Sequence, residues 1–174
     1  MNGLRTFYEE LDADFKKTAR QLYRDRYLEL FDWLGKPEPK RDAIDELVDM
    51  WFTGFFEEPN VQTHYIWDAE VLRKRDRAVE AIWIAPTKMQ KQLEIDKAVR
   101  IWTQMSGWYM DFVSQDAEQK AYKDAKVQKV RWMVYGDDRV CQDCEGMNGT
   151  VWDIDRVPDR PHINCRCWLK PIEN

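Results

Sequence analysis

The sequence predicts an α+β protein in which a helical N-terminal part, residues 1–125, precedes a small β-rich module, residues 126–174. Three observations predict this class. Apolar residues recur at helical spacing through most of the chain, the pattern changes to alternation near Val127, and all four cysteines lie in the last 34 residues. We therefore expect a helical bundle followed by a short module that zinc holds together.

Several segments of the N-terminal part have the apolar spacing of amphipathic helices. Helices are predicted over residues 4–34, 42–56, 61–84 and from Thr87 onward, with a short polar helix from Asp116 to Ala125. Gly35 is a candidate for a left-handed helix cap, and Thr87 is a candidate N-cap.

Aromatic side chains are concentrated at the end of the second predicted helix, at Trp51, Phe52, Phe55 and Phe56. Their helical spacing is typical of a bundle core. The same four residues could instead form a surface that docks onto another protein, and the sequence does not distinguish these two interpretations.

The C-terminal module has the pattern of a small sheet. Val130, Trp132 and Val134 alternate with other residues, which predicts a strand over residues 127–135. Asn148-Gly149 predicts a hairpin turn before a short second strand over residues 150–152. A third strand is predicted over residues 166–172.

The cysteines form two pairs with the spacing of a zinc site. Cys141-x2-Cys144 is followed by Cys165-x-Cys167, with His162 close to the second pair. Zinc is held by four such ligands in structural sites, so four of these five residues are expected to bind the ion. A module of under fifty residues buries little apolar surface, and metal binding would supply the missing stability.

Three alternatives to zinc remain open from the sequence: free structural cysteines, disulfides and a redox dithiol. A redox Cys-x2-Cys lies at a helix N-terminus, whereas residues 145–149 are predicted to form a turn. An enzyme is not expected, because only His64 remains for acid-base chemistry and no catalytic motif is present.

The composition excludes several classes of protein. Hydrophobic residues make up 44% of the 174 residues, so the chain is not expected to be disordered. A net charge of −5 argues against a protein whose main role is coating nucleic acid. With neither a long apolar run nor the features of a signal peptide, we expect a soluble cytoplasmic protein without membrane contact.

The ordered motif of the C-terminal module resembles a known family. It reads Asp138-Arg139-Val140-Cys141-x2-Cys144, then Gly149, then Pro161-His162-Ile163-Asn164-Cys165-Arg166-Cys167 and Pro171. This pattern is similar to the C-terminal signature of the phage head-morphogenesis family, the minor head proteins resembling protein F of phage Mu. Ile163 stands where that signature has Pro, and Asp159-Arg160-Pro161 replaces a doubled Pro.

The resemblance implies a minor structural protein of a tailed-phage head. Such a protein would dock onto portal or major capsid subunits during head assembly and genome packaging or ejection. It would be assembled in the host cytoplasm, end in the virion head and in some cases contact viral DNA. The resemblance covers about residues 127–171, and the helical part resembles no family that we can name.

Two other functions remain as alternatives. The module could bind nucleic acid if the fold brings its basic residues to one face; the candidates are Arg131, Arg139, Arg160, Arg166 and Lys170. The chain could also be a toxin-like effector that carries the phage head module.

Overall fold

A computed structural model describes residues 2–57, 65–136, 140–162, 165 and 167–172; the side chains of residues 2–5, 7, 8, 57 and 65–71 are outside this description. The helices are α1 (Asn2–Trp33), α2 (Arg41–Phe52), which continues into a π-helical turn (Thr53–Glu57), α3 (Tyr65–Ile84) and α4 (Lys88–Asp124). They precede β1 (Lys129–Val134), the short helix α5 (Gln142–Met147), β2 (Val151–Asp153), a 3-10 turn (Ile154–Arg156) and β3 (Cys167–Pro171). The predicted α+β class is confirmed.

The three strands form an antiparallel sheet with the order β2-β1-β3, so β1 is central. The alternation predicted for β1 is present, because Val130 and Trp132 are buried while Arg131 between them is exposed. One face of the sheet therefore packs on the core and the other faces solvent, as is common for antiparallel sheets.

Both predicted helix caps are present. Gly35 ends α1 in the left-handed region, with φ +63°, and the backbone N–H of Lys36 donates to the carbonyl of Phe31 over 3.0 Å. At the start of α4, the hydroxyl of Thr87 accepts a hydrogen bond from the backbone N–H of Gln90 over 3.2 Å. The predictions of Gly35 as a C-terminal cap and Thr87 as an N-cap are therefore confirmed.

The prediction of a separate polar helix from Asp116 is wrong, because α4 continues without interruption to Asp124. The segment is not solvated on all sides, since Ala117, Glu118 and Ala121 are buried. The start predicted for the third helix, residues 61–64 with His64, lies outside the described residues.

The chain divides into two compact units whose boundaries differ from the predicted boundary at residue 125. The helical unit comprises residues 1–20 and 41–106, and the sheet unit comprises residues 21–40 and 107–174. Within the sheet unit, the Tyr122 hydroxyl of α4 donates to the carbonyl of Leu169 in β3 over 2.8 Å. The sequence predicts that the β-rich module buries little apolar surface by itself. In the structure, the module shares a core with helical segments of the same unit.

The aromatic residues at the end of α2 form the core of the helical unit. Phe52, Phe55 and Phe56 are buried, and Trp51 is half-buried against them. The ring centroids of Phe52 and Phe56 are 4.7 Å apart, and Phe15 of α1 meets Phe56 edge-on at 6.2 Å. The interpretation of Phe52, Phe55 and Phe56 as an exposed docking surface is corrected, because these side chains are at most 9% exposed.

The sheet unit contains a buried ionic cluster around Glu118 of α4, whose side chain is 1% exposed. Its carboxylate lies 3.4 Å from the guanidinium of Arg26 and 3.7 Å from that of Arg160, and it accepts a hydrogen bond from the backbone N–H of Leu169 over 3.3 Å. Burial raises the pKa of Glu118, while the two guanidinium groups act in the opposite direction. The cluster links α1, α4, β3 and the loop that carries Arg160 within this unit.

We expect the sheet unit to lose stability steeply above about pH 10, the usual tyrosine pKa. Burial raises the pKa of Tyr23, Tyr27 and Tyr122, and the carboxylate of Asp124, which accepts a hydrogen bond from the Tyr27 hydroxyl, adds to the shift of Tyr27. A tyrosine whose pKa is higher in the folded than in the unfolded state contributes its full stabilisation at pH values below the unfolded pKa. Above that pH, its contribution to the free energy of unfolding falls by up to about 1.4 kcal/mol for each pH unit.

Urea denaturation at a series of alkaline pH values measures this slope. Tyr27→Phe should reduce it, because one of the buried phenols whose pKa is raised is then absent. Stability that stays constant from about pH 9 to 11 would contradict the prediction.

Among the helices of the described residues, none combines the length and the apolar character needed to cross a bilayer.

Candidate metal centre

Five donor side chains from three segments of the sheet unit come together around Cys144. Cys141, Cys144 and His162 form one triad, and Cys144, Cys165 and Cys167 form a second, with the donor atoms of each triad within 4.8 Å of one another. Cys144 belongs to both triads. The predicted ligand set is thus gathered in one place, and it could hold a metal ion.

The first cysteine pair lies at the N-terminus of α5. Cys141 is the N-cap residue, with extended backbone, and its sulfur accepts a hydrogen bond from the backbone N–H of Cys144 over 3.4 Å. The backbone N–H of Glu145 donates to the Cys141 carbonyl over 2.9 Å. The turn predicted for residues 145–149 is therefore wrong in part, because a six-residue helix occupies most of it. Both sulfurs are held by one tight loop.

The segment after α5 joins this loop to the central strand. Gly149 adopts φ +81°, and its N–H donates to the Trp132 carbonyl of β1 over 2.8 Å. The side-chain oxygen of Asn148 accepts a hydrogen bond from the N–H of Val134 over 3.3 Å. Asn148-Gly149 does precede β2, but it ends α5 and is not the two-residue hairpin loop that the sequence predicts.

The second cysteine pair lies at the start of β3. Cys167 is the first residue of that strand and pairs with Val134 of β1, while Cys165 comes just before it. Both thiols are buried, and the sulfur of Cys165 lies 3.5 Å from that of Cys144. Because β1 also holds the loop of the first pair, the sheet brings the two pairs together.

His162 joins the first pair directly. Its Nε2 atom lies 3.0 Å from the sulfur of Cys141 and 3.0 Å from the sulfur of Cys144. An imidazole nitrogen in this position can act as a metal ligand together with both thiolates. His162 therefore completes the first triad, and Cys144 connects that triad to the second one.

The thiols of the cluster differ in electrostatic environment. Burial, together with the neighbouring thiols of Cys167, Cys141 and Cys165, raises the pKa of Cys144 strongly. Burial also raises the pKa of Cys165, to about 11. The pKa of Cys141 is lowered, chiefly by the hydrogen bond from the backbone N–H of Cys144. A cation among these sulfurs would favour their thiolate forms.

The distance between one sulfur of each cysteine pair is compatible with a tetrahedral ion. Zinc binds thiolates at about 2.3 Å, so the sulfurs of a tetrahedral site lie about 3.8 Å apart. The distance of 3.5 Å between the sulfurs of Cys144 and Cys165 is close to that value. None of the four cysteines is in a disulfide, so all four sulfurs are available as ligands.

The five basic residues proposed for nucleic-acid contact do not share one exposed face. Arg131 and Lys170 are exposed and lie opposite each other on β1 and β3. Arg160 is largely buried and lies within ion-pair distance of Asp111 and Glu118, which removes it from an exposed stripe. The remaining candidates, Arg139 and Arg166, lie outside the described residues.

Sequence reasoning missed the buried cluster of Glu118, Arg26 and Arg160, which supports β3 next to the cysteines. A lone glutamate within a polar segment gives no signal of burial, and its partners lie far from it in the chain.

Comparisons with known proteins do not identify the family: no protein-family model, no curated protein and no solved structure matches this chain.

Proposed function

We propose that the cysteine-histidine cluster binds one zinc ion and that this ion has a structural role. The observation that carries the proposal is the convergence of five sulfur and nitrogen donors around the buried Cys144. Thiolate and imidazole ligands suit zinc in preference to hard cations such as magnesium or calcium. A structural ion is favoured because it would join two cysteine pairs that are held on separate segments of the sheet unit, with Cys144 within 4.8 Å of each of the other four donors.

Metal analysis of the purified protein tests the proposal. We expect about one zinc per chain, and cobalt substitution should give the visible absorption of a tetrahedral thiolate site. Comparing the cobalt spectra of His162→Ala, Cys165→Ala and Cys167→Ala would identify the four ligands, since the variant that removes the non-ligand keeps the wild-type spectrum. Protein that is isolated with reduced thiols and binds neither metal would contradict the proposal.

We further propose that the chain is a minor structural protein of a tailed-phage head that docks onto portal or major capsid subunits. Support comes from the ordered motif of residues 127–171 and from the way its cysteines and histidine assemble into one cluster. With the cysteines and His162 of the motif joined by the ion, the exposed face of the sheet would serve as a rigid contact surface. The helical unit would supply further contacts with the other head components.

Sedimentation of particles from the producing host tests this second proposal. We expect the protein to co-sediment with procapsids or filled heads and to be detected by mass spectrometry in both gradient-purified fractions or in one of them. Absence from both kinds of particle, in a lysate that contains the free protein, would contradict a role in the head.

One observation favours direct DNA contact as a second candidate function: Arg131 and Lys170 lie side by side on the exposed face of the sheet. Two cations are a small footprint, so the affinity should be weak and should fall only modestly with salt, with a slope of about −2 in log affinity against log salt concentration. Filter binding of duplex DNA to the wild type and to Arg131→Ser/Lys170→Ser checks it. Affinity that is equal for both proteins would exclude this face as the DNA contact.

A further inference from the structure

We infer that a groove between α3 and α4 in the helical unit binds an acidic amphipathic helix of a partner protein. This inference concerns a surface separate from the metal centre and does not depend on the phage assignment. The groove has a volume of about 290 Å³ and is formed within the helical unit alone.

The floor of the groove is apolar and has room for side chains. Three of its residues are alanines, at positions 78, 81 and 98, and their small side chains leave space above the two helices. Deeper in the groove lie Trp102 and Met105, which are buried. Such a floor accepts leucine-sized anchors from a partner, in the way that helix-binding grooves do.

The rim of the groove carries an excess of positive charge. Lys74, Arg77 and Lys97 line it together with a single acid, Glu94, which lies 3.5 Å from Lys97. Over the longer stretch of residues 72–100 the count is eight Lys+Arg against four Asp+Glu, in a chain whose net charge is −5. A partner with carboxylates beside its apolar anchors would complement both parts of the groove.

An exposed apolar side chain adjoins the groove on α3. Ile84 follows Arg77 by seven residues and Ala81 by three, so it extends the groove-lining face of that helix. It is 71% exposed. This side chain adds to the apolar surface that a helix lying in the groove would cover.

The occupant with this chemistry is a helix with apolar and acidic residues. Duplex DNA would leave the apolar floor uncovered, and a flat bilayer surface would leave the concave groove unfilled. Two copies of this chain meeting groove to groove would bring their cationic rims together, which costs energy. An acidic amphipathic helix buries its anchors in the floor and places its carboxylates among the cations.

Titration of the full-length protein with a labelled synthetic peptide tests the inference. The peptide has about eighteen residues, with leucine at helical i, i+3, i+4 and i+7 positions and glutamate at the others, and its control peptide has lysine for glutamate. Fluorescence anisotropy should show that the acidic peptide binds at least about tenfold more tightly. Equal affinity for the two peptides would overturn the inference.

Paired variants locate the site. Lys74→Glu/Arg77→Glu should weaken binding of the acidic peptide by about tenfold or more, whereas Arg41→Glu/Arg100→Glu, the same charge change on exposed residues outside the groove lining, should change it less than about threefold. Ala81→Phe fills the floor without changing the charge and should weaken binding as strongly as the groove variant. Circular dichroism verifies that each variant is folded.

Three results would contradict the groove as a helix-binding site. The first is a control variant that weakens binding as much as the groove variant does, and the second is an unchanged affinity in Ala81→Phe. The third is a folded protein that binds duplex DNA or anionic phosphatidylserine vesicles more tightly than it binds the acidic peptide. The last result would assign the basic surface to nucleic acid or membrane.

Discussion

Cys144→Ala is expected to abolish metal binding and to unfold the sheet unit. Cys144 is the one residue common to both donor triads, and it is buried, so its loss leaves neither triad complete. Structural zinc contributes on the order of 10–16 kcal/mol of apparent binding free energy, which is comparable to or larger than the total stability of a typical domain. The metal-free unit should therefore be unfolded or only marginally stable.

The helical signal should fall in part when the sheet unit unfolds. Residues 21–40 and 107–124 belong to the same compact unit as the strands, so we expect them to lose protection together with the sheet. Hydrogen exchange read by mass spectrometry would show rapid exchange in these segments, while residues 41–57 of the helical unit should remain protected. Removal of metal from the wild type with a chelator should reproduce the pattern.

Gln142→Ala provides the matched control for Cys144→Ala, because this exposed residue lies in α5 and offers no ligand to either triad. It should retain about one zinc per chain and wild-type exchange. A folded, slowly exchanging sheet unit in the metal-free Cys144→Ala variant would contradict a structural role for the ion.

The strands and the donor set could be predicted from the sequence because their signals are local. The alternation of Val130, Trp132 and Val134 identifies β1, and the paired spacing of the cysteines identifies the cluster. The short helix α5 could not be predicted in this way. Its six residues include Gly146, a poor helix former, and its first turn depends on the Cys141 sulfur as an N-cap.

Features that depend on packing gave no comparable signal. The polar composition of residues 116–125 indicates a solvated helix, yet Ala117 and Ala121 are buried and α4 continues through the segment. Likewise, an aromatic run such as Phe55-Phe56 has the same spacing in a core and on a docking surface. Only the partners that lie far away in the chain, such as Phe15, decide between the two.

Glu118→Ala is expected to destabilise the sheet unit by about 3–5 kcal/mol, the range for breaking a buried ion pair by removing one partner. The substitution leaves the guanidinium groups of Arg26 and Arg160 without their buried counter-charge. It also leaves the backbone N–H of Leu169 in β3 without the carboxylate that accepts its hydrogen bond. Urea denaturation of the metal-bound protein, followed by the fluorescence of buried tryptophan, measures the loss.

Two further variants separate the buried cluster from an ordinary ion pair. Glu29→Ala removes the other carboxylate bonded to Arg26, at 2.9 Å, but Glu29 is 66% exposed, so its loss should cost less than about 1 kcal/mol. Glu118→Gln should be milder than Glu118→Ala, because a neutral amide still accepts a hydrogen bond and avoids the burial cost that raises the pKa of the carboxyl. Equal losses for Glu118→Ala and Glu29→Ala would mean that burial of the carboxylate does not matter, and that β3 is held beside the cysteines by other contacts.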